Sequence, residues 1–113
     1  MNRKVIVVGS FVVDLMSRSP HLPQKGETVI GSMFKMGPGG KGFNQAVAAH
    51  KAGADVTVVT KLGKDSFAEV ALDAIKSLGM DSYVIRSEEE STGCALILVD
   101  EVTSQNEIVV VPA

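Results

Sequence analysis

The chain has 113 residues, a net charge of −2 and 45% hydrophobic residues, which suits one small globular domain rather than a disordered segment. Its basic residues are dispersed and tryptophan is absent, so we expect no nucleic-acid partner. The apolar runs are too short to span a bilayer, and the single cysteine, Cys94, excludes an internal disulfide. These features predict a cytoplasmic protein with no membrane partner.

The first third of the chain contains a buried-type strand and a polar loop. Residues 4–8, "KVIVV", form a continuous β-branched run, which predicts a strand buried on both faces. Residues 17–27 contain two prolines and a glycine and are predicted to form a loop. A short strand is predicted over residues 28–36, and a helix follows the glycine-rich stretch over about residues 42–52.

The remainder alternates strands with one helix and then changes character. A second buried strand is predicted over residues 56–60, and a third over residues 83–85. Between them, residues 66–78 have an apolar stripe at helical spacing, with Ser66 and Glu69 in the positions of a capping box. Residues 92–100 and 107–111 are predicted to form an antiparallel hairpin.

This order of elements predicts an α/β fold. Strands alternating with helices indicate a doubly wound parallel sheet. The strand over residues 28–36 and the terminal hairpin interrupt that alternation, so we expect them to form a small antiparallel flap beside the parallel sheet.

The stretch "MGPGGKGFNQAVAA", residues 36–49, places glycines directly before a helix. Such a place lets a phosphate, a carboxylate or a sugar approach the main chain and the free N–H groups of the helix. Gly37, Gly39 and Gly42 also satisfy the dinucleotide fingerprint. That fingerprint should follow the first strand and be followed by an acidic residue closing the second, where Lys61 stands here. A phosphate-binding P-loop fails because Gly42, not Ser or Thr, follows the lysine.

Few polar side chains stand out beside the glycines. Asp14 lies just beyond the first strand, where a carboxylate could accept hydrogen bonds from two sugar hydroxyls; Asn44, in the first helical turn, could pair with a hydroxyl. Both could instead be caps, and Lys41 either meets an anion or is simply exposed. The other polar candidates are interpreted as structural. We expect His21 and the loop at residues 88–90 to be solvated, His50 to lie near a helix end, and Cys94 to be a small apolar strand residue.

Several motifs taken together resemble the ribokinase (PfkB) family of carbohydrate kinases. They are "GSFVVD", "KGETVIG", the long run "GPGGKGFNQAVAAHKAGADVTVVTKLGKD" and "STGCALILVD". The resemblance implies a ribokinase-like, Rossmann-type α/β fold with a β lid over the sugar. It makes residues 1–113 the N-terminal part of one such domain, with lid segments at about residues 12–36 and 92–111.

The resemblance also implies a set of sugar-binding residues. The backbone of Gly39 and Gly40 would contact sugar hydroxyls, as would the side chains of Asp14 and Asn44. Lys41 would lie towards the transferred phosphate. Ala95 and Ile97, from the lid, would form an apolar wall.

Two departures from the family pattern limit the resemblance. Ribokinases proper have an asparagine where this chain has Val12, which favours a sugar or nucleoside other than ribose. Family members are also much longer, and their second half carries the aspartate base, the ATP site and the Mg²⁺-associated motif. We therefore expect ATP and Mg²⁺ in the full-length protein and no catalytic, cofactor-binding or metal residue in this chain.

Three functional readings follow. The first is the sugar-binding N-terminal portion of an ATP-dependent carbohydrate kinase that transfers the γ-phosphate to a hydroxyl of a small sugar or nucleoside, inactive alone. The second is a non-catalytic polyol-binding or oligomerising module, and the third is a dinucleotide-binding domain. Exposed strand edges and apolar faces predict a homodimer through the strands at residues 28–36, 92–100 and 107–111.

Overall fold

The computed structural model describes residues 3–112, which form two sheets and two helices. In chain order the elements are β1 (Lys4–Val8), β2 (Val12–Ser19), β3 (Met33–Gly39), α1 (Lys41–Lys51), β4 (Asp55–Gly63), α2 (Ser66–Leu78), β5 (Asp81–Ser87), β6 (Gly93–Asp100) and β7 (Asn106–Val111). None of the described helices has the length and apolar character that crossing a membrane would require.

The first sheet, the parallel sheet, has the order β1-β4-β5 and all its strands run in the same direction. Both helices pack on one of its faces and enclose a single core. Val56, Val58 and Leu62 of β4 are buried there, against Phe43 of α1 and Ile75 of α2. The predicted α/β fold with a parallel sheet is confirmed.

The other face of the parallel sheet is open to solvent. Ile6 and Val8 of β1 are 62% and 76% exposed, and Tyr83 and Ile85 of β5 are also exposed. The prediction that β1 is buried on both faces is therefore wrong for the described chain. The continuous apolar run is present, but both helices cover the face that carries Val5 and Val7.

The second sheet, the mixed sheet, has the order β3-β2-β6-β7. β2 pairs with β6 in parallel, whereas the β3–β2 and β6–β7 pairs are antiparallel, so the predicted hairpin is confirmed. The strand β2 has no counterpart in the prediction, and its last residues, to Ser19, lie in the predicted loop. β3 begins at Met33 rather than residue 28 and ends at Gly39 rather than residue 36, because its register with β2 runs from the pair Arg18–Met33 to the pair Val12–Gly39.

Both predicted helices form, with one correction to a cap. α1 begins at Lys41, one residue before the predicted start, and α2 ends at Leu78 before Gly79, whose φ of 72° is the left-handed conformation glycine favours. The predicted capping box on α2 is absent. Asp65 is the N-cap, because it is extended and its carboxylate accepts a hydrogen bond from the Ala68 N–H, which makes Ser66 the first helical residue.

Candidate functional site

The glycine-rich stretch joins β3 to α1, and two of its glycines pack against the protein itself. A Cβ on Gly42 would lie 2.6 Å from the Gly9 Cα, and a Cβ on Gly40 would lie 2.7 Å from the Ser10 carbonyl oxygen. The φ of Gly40 is 98°, which also favours glycine. These two glycines therefore let α1 approach the end of β1, because the backbone of Gly9 and Ser10 occupies the space in which their Cβ atoms would lie.

Gly39 faces a different neighbour, the Asp14 carboxylate. A Cβ on Gly39 would fall within 2.6 Å of the Asp14 Cγ, so glycine is what lets the carboxylate lie flat against β3. Asp14 is partly buried, and this burial raises its pKa above the usual value. A partly desolvated carboxylate is a strong acceptor for hydroxyl donors.

Asp14 shares one face of the mixed sheet with the two predicted apolar residues. The register pairs Asp14 with Gly37 on one side and Ala95 on the other, and pairs Met16 with Ile97 in the next row of the same face. Ala95 is buried and Ile97 is half-buried. A cavity of about 360 Å³ opens on this face; it is lined by Asp14, Met16, Lys35, Gly37, Pro38 and Ile97.

The start of α1 contributes the remaining predicted residues. No side chain caps this helix and its first turn holds no acidic residue. The N–H groups of Lys41 and Gly42 have no carbonyl partner within the helix, whereas that of Phe43 donates to the Ser10 carbonyl. Lys41 and Asn44 are exposed and lie outside the lining of the Asp14 cavity. This end of α1 therefore combines N–H groups that have no partner within the helix with one exposed cation, a combination suited to an anion.

A second cavity, of about 220 Å³, lies where β1, β2 and β4 meet the end of β7. Its lining is Gly9, Ser10, Phe11, Val12, Thr60, Lys61, Val110 and Pro112. Val12 and Val110 give it an apolar wall. Thr60 is buried, and its Oγ1 has no hydrogen-bond partner among residues 3–112. Val12 lies opposite Gly39 in the β2–β3 register, so this cavity adjoins the Asp14 site.

Sequence reasoning missed several lining residues. Met16, Lys35 and Gly37 share the cavity with Asp14, yet the sequence analysis placed Met16 and Lys35 in no site. Alternation along β2, two residues from Asp14 to Met16, is the signal that could have identified Met16. Lys35 and Gly37 depend on the β2–β3 register, and the misplaced start of β3 hid that register.

The other polar candidates have structural surroundings. His21 is exposed and hydrogen-bonds Glu27, while Glu88 and Glu90 pair with Lys64 and Lys61 at the surface. Cys94 is a half-buried strand residue. Across residues 3–112, no group of three or more His, Cys, Asp or Glu side chains is placed to hold a metal ion.

Comparison with known proteins identifies the class to which this fold and site belong. The family model described as pfkB family carbohydrate kinase matches residues 2–113. The chain belongs to this family.

Particular relatives lie close in sequence but are longer. The chain is 40% identical over 108 residues to a deoxyribokinase of Salmonella typhi, covering 95% of this chain and 35% of the relative. It is 41% identical over 110 residues to a ribokinase of Bacillus subtilis, covering 96% and 37%. The solved structure of an Arabidopsis thaliana ribokinase complexed with ribose and ATP superposes with a TM-score of 0.85 at 31% identity, covering 98% and 36%. The chain thus spans about a third of the length of these relatives.

The position of the glycines also bears on the dinucleotide reading. They lie at the end of β3, an edge strand of the mixed sheet, and at the start of α1, and do not follow the first strand of the parallel sheet. The first βα turn of a dinucleotide-binding fold requires the latter arrangement. The fingerprint match therefore lacks the structural context that would support it.

Proposed function

We propose that this chain is the sugar-binding portion of an ATP-dependent carbohydrate kinase. The observation that carries the proposal is the placement of the Asp14 carboxylate, which lies against Gly39 and shares a sheet face with Ala95 and Ile97. In this proposal the carboxylate accepts hydrogen bonds from two sugar hydroxyls, and Ala95 and Ile97 pack on the apolar face of the sugar. Asn44 and the backbone at Gly39 and Gly40 bind further hydroxyls.

The phosphate side of the reaction is proposed to meet the start of α1. Phosphoryl transfer depends on positioning and on charge stabilisation around the phosphoryl group. The exposed Lys41 and the N–H groups beside it would attract the transferred phosphate. The described residues offer no acidic cluster for Mg²⁺. We assign no ATP-binding residue, metal ligand or catalytic base to this chain, because in the family that it resembles these groups lie in the second half of a longer chain.

We propose accordingly that residues 1–113 form the N-terminal part of a ribokinase-like domain, with the mixed sheet as its lid, and are inactive alone. The relatives, about three times as long, support this assignment. The cytoplasmic location stays a prediction.

A chimera tests the proposed function. The chain would be joined to the remaining two thirds of the Bacillus subtilis ribokinase, and sugar-dependent ADP release would be measured. We expect no release from the 113-residue chain, release from the chimera, and its loss in the chimera with Asp14→Asn. A folded chimera that stays inactive while the parent ribokinase is active would contradict the assignment, as would ADP release from the chain alone.

Val12 carries a finer proposal about the substrate. Val12 and Val110 form an apolar part of the lining of the second cavity, beside the Asp14 site, so a sugar carbon without a hydroxyl would fit this wall best. The similarity to a deoxyribokinase supports a deoxy sugar. Because an apolar wall rejects an added hydroxyl only weakly, we expect a preference of no more than about 100-fold.

The matched test of this substrate proposal is Val12→Asn in the chimera. The kcat/KM ratio of 2-deoxyribose to ribose should fall in Val12→Asn, and should stay unchanged in Val102→Asn, which alters an exposed turn residue. An unchanged ratio in Val12→Asn would remove Val12 from the determinants of specificity.

We further propose that the chain forms a homodimer through the mixed sheet. The face opposite Asp14 carries a row of apolar residues that crosses all four strands. In this row Leu15 pairs with Met36 on one side and Leu96 on the other, and Leu96 also pairs with Val109. Met36, Leu96 and Val109 are between 42% and 58% exposed, so this row places three neighbouring apolar side chains in contact with solvent. Light scattering at micromolar concentration should give twice the monomer mass. Val109→Lys should give the monomer mass, whereas Val102→Lys should not; a native monomer would contradict the proposal.

A further inference from the structure

Among residues 3–112, three junctions connect the mixed sheet to the parallel sheet and the helices, and they lie in a single row. The chain enters β2 at Val12, leaves β3 at Gly39 and enters β6 at Gly93. The register pairs Val12 with both Gly39 and Gly93, so the three junctions are neighbours across the sheet. Three attachments along one line define an axis, and the sheet could rotate about that axis unless contacts other than the chain connections prevent the rotation.

A cluster of hydrogen bonds at the third junction supplies such contacts. Thr92, immediately before β6, is buried, and its N–H donates to Asp65 Oδ2 over 2.8 Å. The Thr92 hydroxyl donates to Asp65 Oδ1 over 2.7 Å and accepts from the Gly63 N–H over 3.0 Å. Both hydrogen-bonding capacities of the hydroxyl are therefore used. Gly63 is the last residue of β4, so the cluster ties the start of β6 to the parallel sheet.

Close packing around Gly63 fixes the geometry of this cluster. A Cβ on Gly63 would lie 2.6 Å from the Thr92 nitrogen and 2.6 Å from the Glu90 carbonyl oxygen. Arg86 of β5 donates from Nε to the Gly63 carbonyl over 3.1 Å. The end of β4 is thus held between the loop that leads to β6 and the neighbouring strand β5.

Asp65 also connects this cluster to the helix beneath the mixed sheet. Its Oδ1 accepts from the Ala68 N–H at the start of α2. α2 contacts β2 and β3 of the mixed sheet, and Ala68 and Ala71 share the core with Val13. One carboxylate therefore holds both the strand that enters the mixed sheet and the helix that supports it.

We propose that Asp65 and Thr92 are positioning residues that set the angle of the mixed sheet over the start of α1. Ala95 and Ile97 lie three and five residues beyond Thr92 on β6, and Asp14 is paired with Ala95. Rotation about the junction row would move all three relative to Asn44. The consequence for sugar binding rests on the proposed function, whereas the effect on the angle does not.

Residual dipolar couplings of backbone amides test the angle directly and need no sugar. Asp65→Asn keeps a side chain that caps helices well, but its single carbonyl oxygen cannot replace both carboxylate oxygens as acceptors for the Thr92 N–H and hydroxyl. Thr92→Val removes the hydroxyl itself. In both variants we expect the couplings of the two sheets to require different alignment tensors. A single tensor should fit both sheets in the native chain, in Thr92→Ser, which keeps the hydroxyl, and in Glu88→Gln, which removes an exposed ion pair in the same loop.

Hydrogen exchange and acid titration provide independent measurements. Amide protection at Gly63 and residues 93–96 should fall about tenfold or more in Asp65→Asn, since charge-assisted hydrogen bonds are lost.

Burial alone would raise the pKa of Asp65, but the hydrogen bonds from Thr92 and Ala68, with Arg86 nearby, hold it below its usual value. The charged groups around it are Arg86 on β5, Lys64 beside it, which pairs with Glu88, and Glu69 in the first turn of α2. The native Thr92 amide shift should follow a transition below pH 3.8.

The outcomes separate this proposal from the proposed function. If one tensor with the native angle fits both sheets in Asp65→Asn and Thr92→Val, the proposal is overturned, even if both variants melt at lower temperature. If Thr92→Val does not fold, Asp65→Asn and the acid titration of the native chain decide. A changed angle with no sugar binding in any variant would support the positioning role and count against the sugar assignment.

Discussion

Replacing Gly42 by alanine should destabilise the chain, although alanine is the better helix former. In a helix interior, alanine would gain about 0.5–1 kcal/mol over glycine from backbone entropy. Here the new Cβ would lie 2.6 Å from the Gly9 Cα, 2.8 Å from the Ser10 nitrogen and 2.9 Å from the Gly9 carbonyl carbon. All three are backbone atoms, so no flexible side chain can move aside. α1 must shift away from the end of β1.

The structure gives the size of this effect. Overpacking of a well-packed site costs typically about 1–3 kcal/mol, which exceeds the gain in helix propensity, so we expect a net loss of about 1–2 kcal/mol in the free energy of unfolding. With an m value of roughly 1–3 kcal/mol/M, the urea midpoint should fall by about 0.3–2 M.

The matched control for Gly42→Ala is Gly37→Ala in the same stretch, where a Cβ would meet no atom within 4 Å. It should leave the midpoint unchanged or raise it slightly. Urea unfolding followed by circular dichroism measures both variants. If Gly42→Ala is as stable as the native chain, the close approach of α1 to β1 is not what the glycine provides.

Three other substitutions have defined expectations. Burial raises the pKa of Asp14 in the folded state, so the native chain should lose stability as pH rises above 3.8 and the carboxyl group ionises. Asp14→Asn should remove this loss and be more stable than the native chain at pH 7. Thermal melts across pH measure the effect, and equal pH profiles for the two proteins would contradict it. Asp65→Ala should lower the free energy of unfolding by about 1 kcal/mol or more, because it removes the α2 cap and leaves the buried Thr92 hydroxyl and N–H without an acceptor. A urea midpoint equal to that of the native chain would contradict this expectation. Glu88→Gln should change the free energy of unfolding by less than about 0.5 kcal/mol, because the ion pair between Glu88 and Lys64 is exposed. A larger change, measured from the urea midpoint, would contradict this expectation.

The sequence predicted those parts of the fold that local patterns determine. The apolar stripe predicted α2 over residues 66–78 without error, and the final hairpin was placed to within a residue. β3 was misplaced because its residues alternate poorly and its bounds depend on pairing with β2, a contact distant along the chain. The α2 cap was misassigned because Asp65 and Ser66 are both good capping residues, and only the extended backbone of Asp65 distinguishes them.

The candidate site was predictable only in part, for a related reason. Asp14 could be singled out by its position after β1, and the motifs supplied Gly39 and Asn44 through the family resemblance. No local pattern indicates that Gly40 and Gly42 serve contacts with Ser10 and Gly9, since those contacts join segments about thirty residues apart. A glycine needed for a ligand and one needed for close packing look identical in a sequence.

The central claim, that the Asp14 face binds a sugar, is tested most directly by titrating the ¹⁵N-labelled chain with 2-deoxyribose and with ribose. We predict saturable amide shifts at Asp14, Gly39, Gly40 and Ala95, and their absence in Asp14→Asn, which removes the charged acceptor. Charged hydrogen bonds contribute roughly 1.5–3 kcal/mol each, so the affinity should fall about tenfold or more. Shifts that stay the same in Asp14→Asn, or that lie elsewhere in the chain, would contradict the account.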